Sequence, residues 1–155
     1  MANTDNELHG LKIEDLYSKS KDTLGDCYNH QKNMQEKTYG YDFKEMTIGE
    51  IVDFCFMNKH AIEDEFGEFM DGLGGIADGG GNAGWKPWKK ANAEIRKQKI
   101  SDLSPNDLKE LKMEFVDAFH FFMNFGIVIG MTSEELYNYY MSKAAENFER
   151  QKRGY

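Results

Sequence analysis

Three short signatures fix the architecture open to this chain. Thr47-x-x-Glu50, Ser104-x-x-Asp107 and Thr132-x-x-Glu135 each set a hydroxyl three residues ahead of a carboxylate. The hydroxyl can accept from the backbone N–H three residues on, and the acid can answer the backbone N–H of the hydroxyl residue, so each signature starts a helix. Helices are therefore expected to begin near 48, 105 and 133, and Pro105 suits a first helical turn. An earlier helix is expected from about Ile13 to Lys37. Leu73 to Gly84 (LGGIADGGGNAG) reads as a flexible loop between two helical parts. No Gly-Lys-Ser/Thr follows it, so it is not a Walker-type phosphate loop. The expected fold class is all-α, a helical bundle formed by one domain over residues 1–155 with the Gly-rich loop at 72–84.

The totals exclude several function classes. The longest apolar run, Phe119 to Ile129, is interrupted by His120, Asn124 and Gly126, so no membrane span is expected. The N-terminus lacks the basic-then-apolar order of a secretory signal. Two cysteines without CxxC spacing point to a reducing compartment, the cytoplasm, and not to thiol-bound zinc. A net charge of −8 argues against bulk binding of nucleic acid. Yet Lys86, Lys89, Lys90, Arg96, Lys97 and Lys99 cluster between Trp85 and Ile100 against Glu94 alone. That segment is either a solvated basic face or a place to hold a small polyanion.

Two long helices carry apolar stripes at helical spacing. The first has Ile48, Ile51, Val52, Cys55, Ile62, Phe66, Phe69 and Leu73; the second has Leu108, Leu111, Phe115, Ala118, Phe119, Phe122, Gly126 and Ile129. Each stripe is expected to face the core. At about 100° per residue, Glu65 and Glu68 fall on one shoulder of the first stripe, and Glu114 and Asp117 on the matching shoulder of the second. If the helices pack along those shoulders, four carboxylates converge, and they cannot all stay ionised without cations. Oxygen-only ligands suit Mg²⁺, which commonly bridges to substrate phosphates. The bland alternative is a pair of solvated acidic faces.

The same shoulder of the second helix continues through Phe121 and Asn124, an aromatic face and an amide of the kind a nucleobase pocket uses. Core packing is the alternative for Phe121. Asp117-x-x-His120 invites a di-iron reading, but Glu65-x-x-Glu68 supplies no second histidine. On the last helix Tyr140, Lys143, Asn147 and Arg150 share one face, which pattern alone reads as solvated.

These residues carry a resemblance. Glu65-Phe-Gly-Glu68 with Glu114-Phe-Val-Asp117 resembles the ExxE…ExxD signature of the all-α nucleotide pyrophosphohydrolases, the superfamily of MazG-type enzymes and dimeric dUTPases. IEDEFGEF, WKPWK, DLSPNDLKELKMEFVDAFHFFMN, GMTSEELYNYYMSKAAENF and the terminal RQKRGY are most similar to its T-even-type phage dCTP/dUTP pyrophosphatase branch. The likeness runs from about residue 50 to the C-terminus. It implies hydrolysis of dUTP or dCTP to the monophosphate and pyrophosphate, with two or more Mg²⁺ ions (or Mn²⁺) held by Glu65, Glu68, Glu114 and Asp117. Glu65 and Glu68 are then catalytic, and Asp64 is a neighbouring candidate for handling the attacking water. Lys86, Lys89, Lys143 and Arg150 would hold phosphate oxygens. Asn147 and Tyr155 would meet sugar or phosphate, and Trp85 would approach the substrate. Phe121, Asn124 and Gln31 would form the base pocket, with Gln35 a second possibility one turn on. A homodimer is implied as well. The alternatives are a MazG-like or purine-selective triphosphatase, and a non-catalytic helical protein that binds nucleotide or another protein.

Overall fold

The computed structural model describes residues 21–75 and 84–154, with the backbone of two short strands, β1 (Glu7–Leu8) and β2 (Leu11–Lys12), paired antiparallel. Four helices follow: α1 (Thr23–Asn33), α2 (Ile48–Gly72), α3 (Pro105–Val128) and α4 (Ser133–Lys152). The architecture is all-α. The hydroxyl signatures do what their spacing requires. Thr47 Oγ1 accepts from Glu50 N at 3.3 Å while Glu50 Oε2 accepts from Thr47 N at 2.7 Å, and Thr132 with Glu135 repeats this. Ser104 Oγ accepts from Asp107 N at 3.1 Å, with Pro105 opening the helix. Ile13–Ser20, the expected start of the first helix, lies outside the described residues. A new cap lies inside that expected helix: Asp22 accepts from Gly25 N at 2.9 Å, so α1 begins at Thr23. It runs on into one π-helical turn, Met34–Thr38. Most of the glycine-rich loop, residues 76–83, is likewise outside the described set.

The chain divides into two compact units. One comprises Met1–Gly40 and Thr132–Tyr155, and the other Tyr41–Met131. In the first, α1 packs on α4 and buries Gly25, Tyr28, Gln31 and, in the π turn, Gln35, one face at spacings of three and four. Burial first, and then the Glu135 carboxylate, pushes the Tyr28 phenol up. In the second, α2 packs along α3, and Tyr41 and Phe43 close on Phe54 near the start of α2 with ring centroids 4.9 and 5.5 Å away. The link between these helices makes three single 3₁₀ turns, Lys90–Asn92, Ile95–Lys97 and Ile100–Asp102. Among the described residues no single helix is long and apolar enough to cross a membrane.

The apolar stripes are only partly covered where α2 packs on α3. The buried side chains on these helices include Phe54 and Asn58 on α2, and Leu111, Met123, Asn124, Ile127 and Val128 on α3. Of the expected stripes, Leu111 is buried and several members are half-buried, but Ile48, Val52 and Phe66 on α2 and Phe115, Phe122 and Ile129 on α3 stand in solvent. On α2 the buried Phe54 and Asn58 sit roughly 60° from the expected centre, taking about 100° per residue. The seam is thus centred on what the sequence suggested was its shoulder. Periodicity says that a helix has an apolar face; it does not say which neighbour covers it.

Candidate metal centre

That rotation brings the acids inward. Glu65 and Glu114 are half-buried in the α2–α3 seam, and Glu68 is exposed at its edge. One carboxylate oxygen from each of Glu65, Glu68 and Glu114 lies within 4.8 Å of the other two. No described cation or hydrogen-bond donor answers these three groups. Burial, then the Asp117, Glu68 and Asp64 charges, push the Glu65 carboxyl above its ordinary range. Burial again, followed by Glu68, Asp117, Glu65 and Glu110, does the same to Glu114. Asp117 therefore stands close enough to repel both, although it is outside the three-oxygen cluster. Its Oδ1 lies 3.8 Å from His120 Nδ1, too long for a hydrogen bond. The donor set is oxygen only and strongly anionic. It fits a hard divalent cation such as Mg²⁺.

The raised carboxyls have a consequence for the metal-free protein. A carboxyl whose folded value exceeds its unfolded one favours the fold while protonated; that stability is complete below the unfolded value of about 4.3 and is lost as pH rises through the folded value. Glu65→Gln removes one such group. In EDTA it is expected to melt above the parent protein at neutral pH, with the gap closing as the pH approaches about 4. Calorimetry across pH 4–8 checks this. Equal melting temperatures at pH 7 would show that the acids do not strain the apoprotein.

Other candidate residues gather less tightly. Trp85 Nε1 donates to Asp71 Oδ1 at 2.6 Å, fastening the basic segment to α2 one turn past Glu68. The Lys86 ammonium sits 4.6 Å from the Trp85 ring centroid, and Trp88 meets that ring edge-on at 5.9 Å. Lys89 and Asp64 are exposed, and Phe121 is half-buried on α3. Asn124 lies inside the seam, not on an open shoulder: its Nδ2 donates to Asn58 Oδ1 at 2.6 Å. In the other unit Gln31 and Gln35 are buried, and Lys143 and Arg150 both bind Glu146, at 2.9 and 2.6 Å. Asn147 is exposed between them in sequence, and Tyr155 lies outside the described residues.

Sequence reasoning missed Asn58 and Asp71. Asn58 had a signal. It precedes Glu65 by seven residues just as Asn124 follows Asp117 by seven, a mirrored spacing that suits two antiparallel helices. Asp71 had none, because its partner lies across the loop.

No family model and no solved structure matches the chain. Curated relatives do. A dCTP pyrophosphatase of Enterobacteria phage LZ5 is 47% identical over 111 residues, 70% of this chain and 64% of that protein. A dCTP pyrophosphatase of Enterobacteria phage T4 is 39% identical over 125 residues, 79% of this chain and 72% of that protein. A DNA replication protein of phage T4 is 37% identical over 113 residues, 72% of this chain but 29% of that longer protein. The chain thus spans somewhat less than two-thirds of the LZ5 relative.

Proposed function

The chain belongs to the phage dCTP pyrophosphatase family, and on that premise we propose that it hydrolyses a pyrimidine deoxynucleoside triphosphate, dCTP or dUTP, to the monophosphate and pyrophosphate in the host cytoplasm. The observation that carries the reading is the meeting of Glu65, Glu68 and Glu114 in a helix seam with no cation among the described residues to answer them. A site that only bound nucleotide would gain nothing from acids facing a polyanion.

Magnesium held by Glu65, Glu68 and Glu114, with Asp117 beside them, would supply neutralising charge and a more acidic water at the scissile phosphate. Water adds at the α-phosphorus, the bond from that phosphorus to its β-bridging oxygen breaks, and pyrophosphate leaves. Glu65 is the group for the water's proton. It is half-buried in the seam as part of the cluster, where a carboxylate can take that proton. Asp64, one residue away and exposed, is the second candidate. Lys86 and Lys89 hold phosphate oxygens. Trp85, fastened by Asp71, keeps Lys86 in place. Phe121, half-buried on α3, stacks on the base. Two copies of the chain make the working enzyme, joined through the exposed phenylalanines of α2 and α3.

The test is product identity. Incubated with each deoxynucleoside triphosphate and Mg²⁺, the protein is expected to give monophosphate and pyrophosphate from dCTP or dUTP. EDTA abolishes turnover and added Mg²⁺ restores it. Orthophosphate with a diphosphate product overturns the mechanism, and no turnover of any nucleotide overturns the function.

A further inference from the structure

The seam that carries the acids also holds a polar pair that the mechanism does not use. Asn58 and Asn124 are each 1% exposed, on α2 and α3. Asn58 Nδ2 donates to the Phe54 carbonyl oxygen four residues back at 2.8 Å. A carbonyl can only accept, so this bond decides which end of the Asn58 amide faces it. Oδ1 is left to accept from Asn124 Nδ2, at 2.6 Å. The pair therefore has a fixed polarity, written from the α2 backbone across to α3.

We propose that Asn58 and Asn124 are positioning residues that pin the register of α2 against α3 and thereby hold the carboxylates of the metal centre together. The inference rests on the acid cluster being such a centre. Glu65 follows Asn58 by seven residues and Asp117 precedes Asn124 by seven. Seven residues are about two helical turns, roughly 10.5 Å along each axis. The Asn58–Asn124 and Glu68–Glu114 contacts make the helices antiparallel, so both acids lie about the same distance from the pair, in the same direction. Apolar contacts alone define such a register poorly, because a slip of one turn, about 5.4 Å, replaces one set of side chains by a similar set. The amides do not tolerate that slip, since it would break the buried hydrogen bond between them. A buried asparagine that fixes helix register is the best-attested use of such groups. The same slip would draw Glu65 and Glu68 away from Glu114.

The test compares Asn58→Ala with Asn58→Ser in the full chain, without nucleotide. Alanine and serine differ little in size, so loss of volume is common to both. The serine hydroxyl can still donate to the carbonyl four residues back and accept from Asn124. Mn²⁺ affinity is read by electron paramagnetic resonance, Mg²⁺ affinity by calorimetry, and folding by thermal melting. Asn58→Ala is expected to weaken both ions by about tenfold or more, the usual loss when a group behind a metal ligand is removed. Asn58→Ser should retain most of the affinity. A doubly substituted Asn58→Leu, Asn124→Leu chain leaves neither amide unpaired, so it should melt no lower than the parent protein and still bind Mn²⁺ weakly. Parental affinity in Asn58→Ala or in the double variant overturns the proposal, as does equal loss in the alanine and serine variants. A parent protein that binds neither ion removes the metal centre itself, and the pair then has nothing to position.

Discussion

Glu65→Gln is expected to lower kcat by about a hundredfold or more while leaving helix content unchanged. Glutamine keeps the volume and one oxygen acceptor but removes the charge that holds a cation, and it cannot take a proton from water. Glu65 is the acid for which both losses matter. It sits in the helix seam and feels Asp117, Glu68 and Asp64 together. Asp117→Asn is expected to lose activity on the same scale, through the charge it adds beside the cluster. Folding should survive in both variants, since each relieves repulsion. Glu63→Gln is the control. Glu63 lies on the same helix, two residues earlier, but it is exposed and bound to Lys59 and His60, which hold its carboxyl below the ordinary range. Its loss should leave turnover within about twofold, as for a surface ion pair. Pyrophosphate release against a melting control reads all three. Near-full activity in Glu65→Gln would falsify the assignment of the centre.

What the sequence made legible, and what it did not, divides along one physical line. Helix starts are local: a hydroxyl, an acid three residues on and a backbone N–H are all within one turn, so Thr47, Ser104 and Thr132 could be read directly. The pairing of Glu65–Glu68 with Glu114 was also within reach, because two acids one turn apart on each of two helices can meet only if those helices pack along that face. The orientation of the apolar stripes was not. Hydrophobic periodicity reports that Phe66, Phe115 and Phe122 want cover, and the natural inference was cover from within the chain. Instead Phe54, Asn58 and Asn124 are buried beside the stripe's own Leu111, with Glu65 and Glu114 half-buried among them. Two amides and four carboxylates at helical spacing look like an exposed face to any hydrophobicity argument. The amides pack inward because they satisfy each other and the backbone. The bond from Trp85 to Asp71 was out of reach for another reason: contacts across a glycine-rich loop leave no periodic trace.

The displaced stripes lead to the last expected result. A double variant, Phe115→Glu with Phe122→Glu, is expected to elute as a monomer with unchanged helix content, and the parent protein as a dimer. Phe66, Phe115 and Phe122 are 57%, 60% and 62% exposed. A phenylalanine buries about 150–250 Å² when covered, so these three rings alone leave roughly 350 Å² of apolar surface in water. Ile48, Val52 and Ile129 add to it on the same two helices. A patch of that size reaches what a monomer ordinarily exposes, and a second copy is the occupant that the implied homodimer supplies. Glutamate at these positions costs the monomer little, because the side chains already stand in solvent. In a dimer each would bury an unpaired charge, at a cost of about 3–5 kcal/mol, which is roughly a 100- to 4,000-fold weaker dissociation constant. Light scattering coupled to size exclusion reads the mass at tens of micromolar, and circular dichroism reads the fold. A parent protein that is monomeric at that concentration, or a variant that stays dimeric, would remove the α2–α3 phenylalanine face as the place where two copies meet.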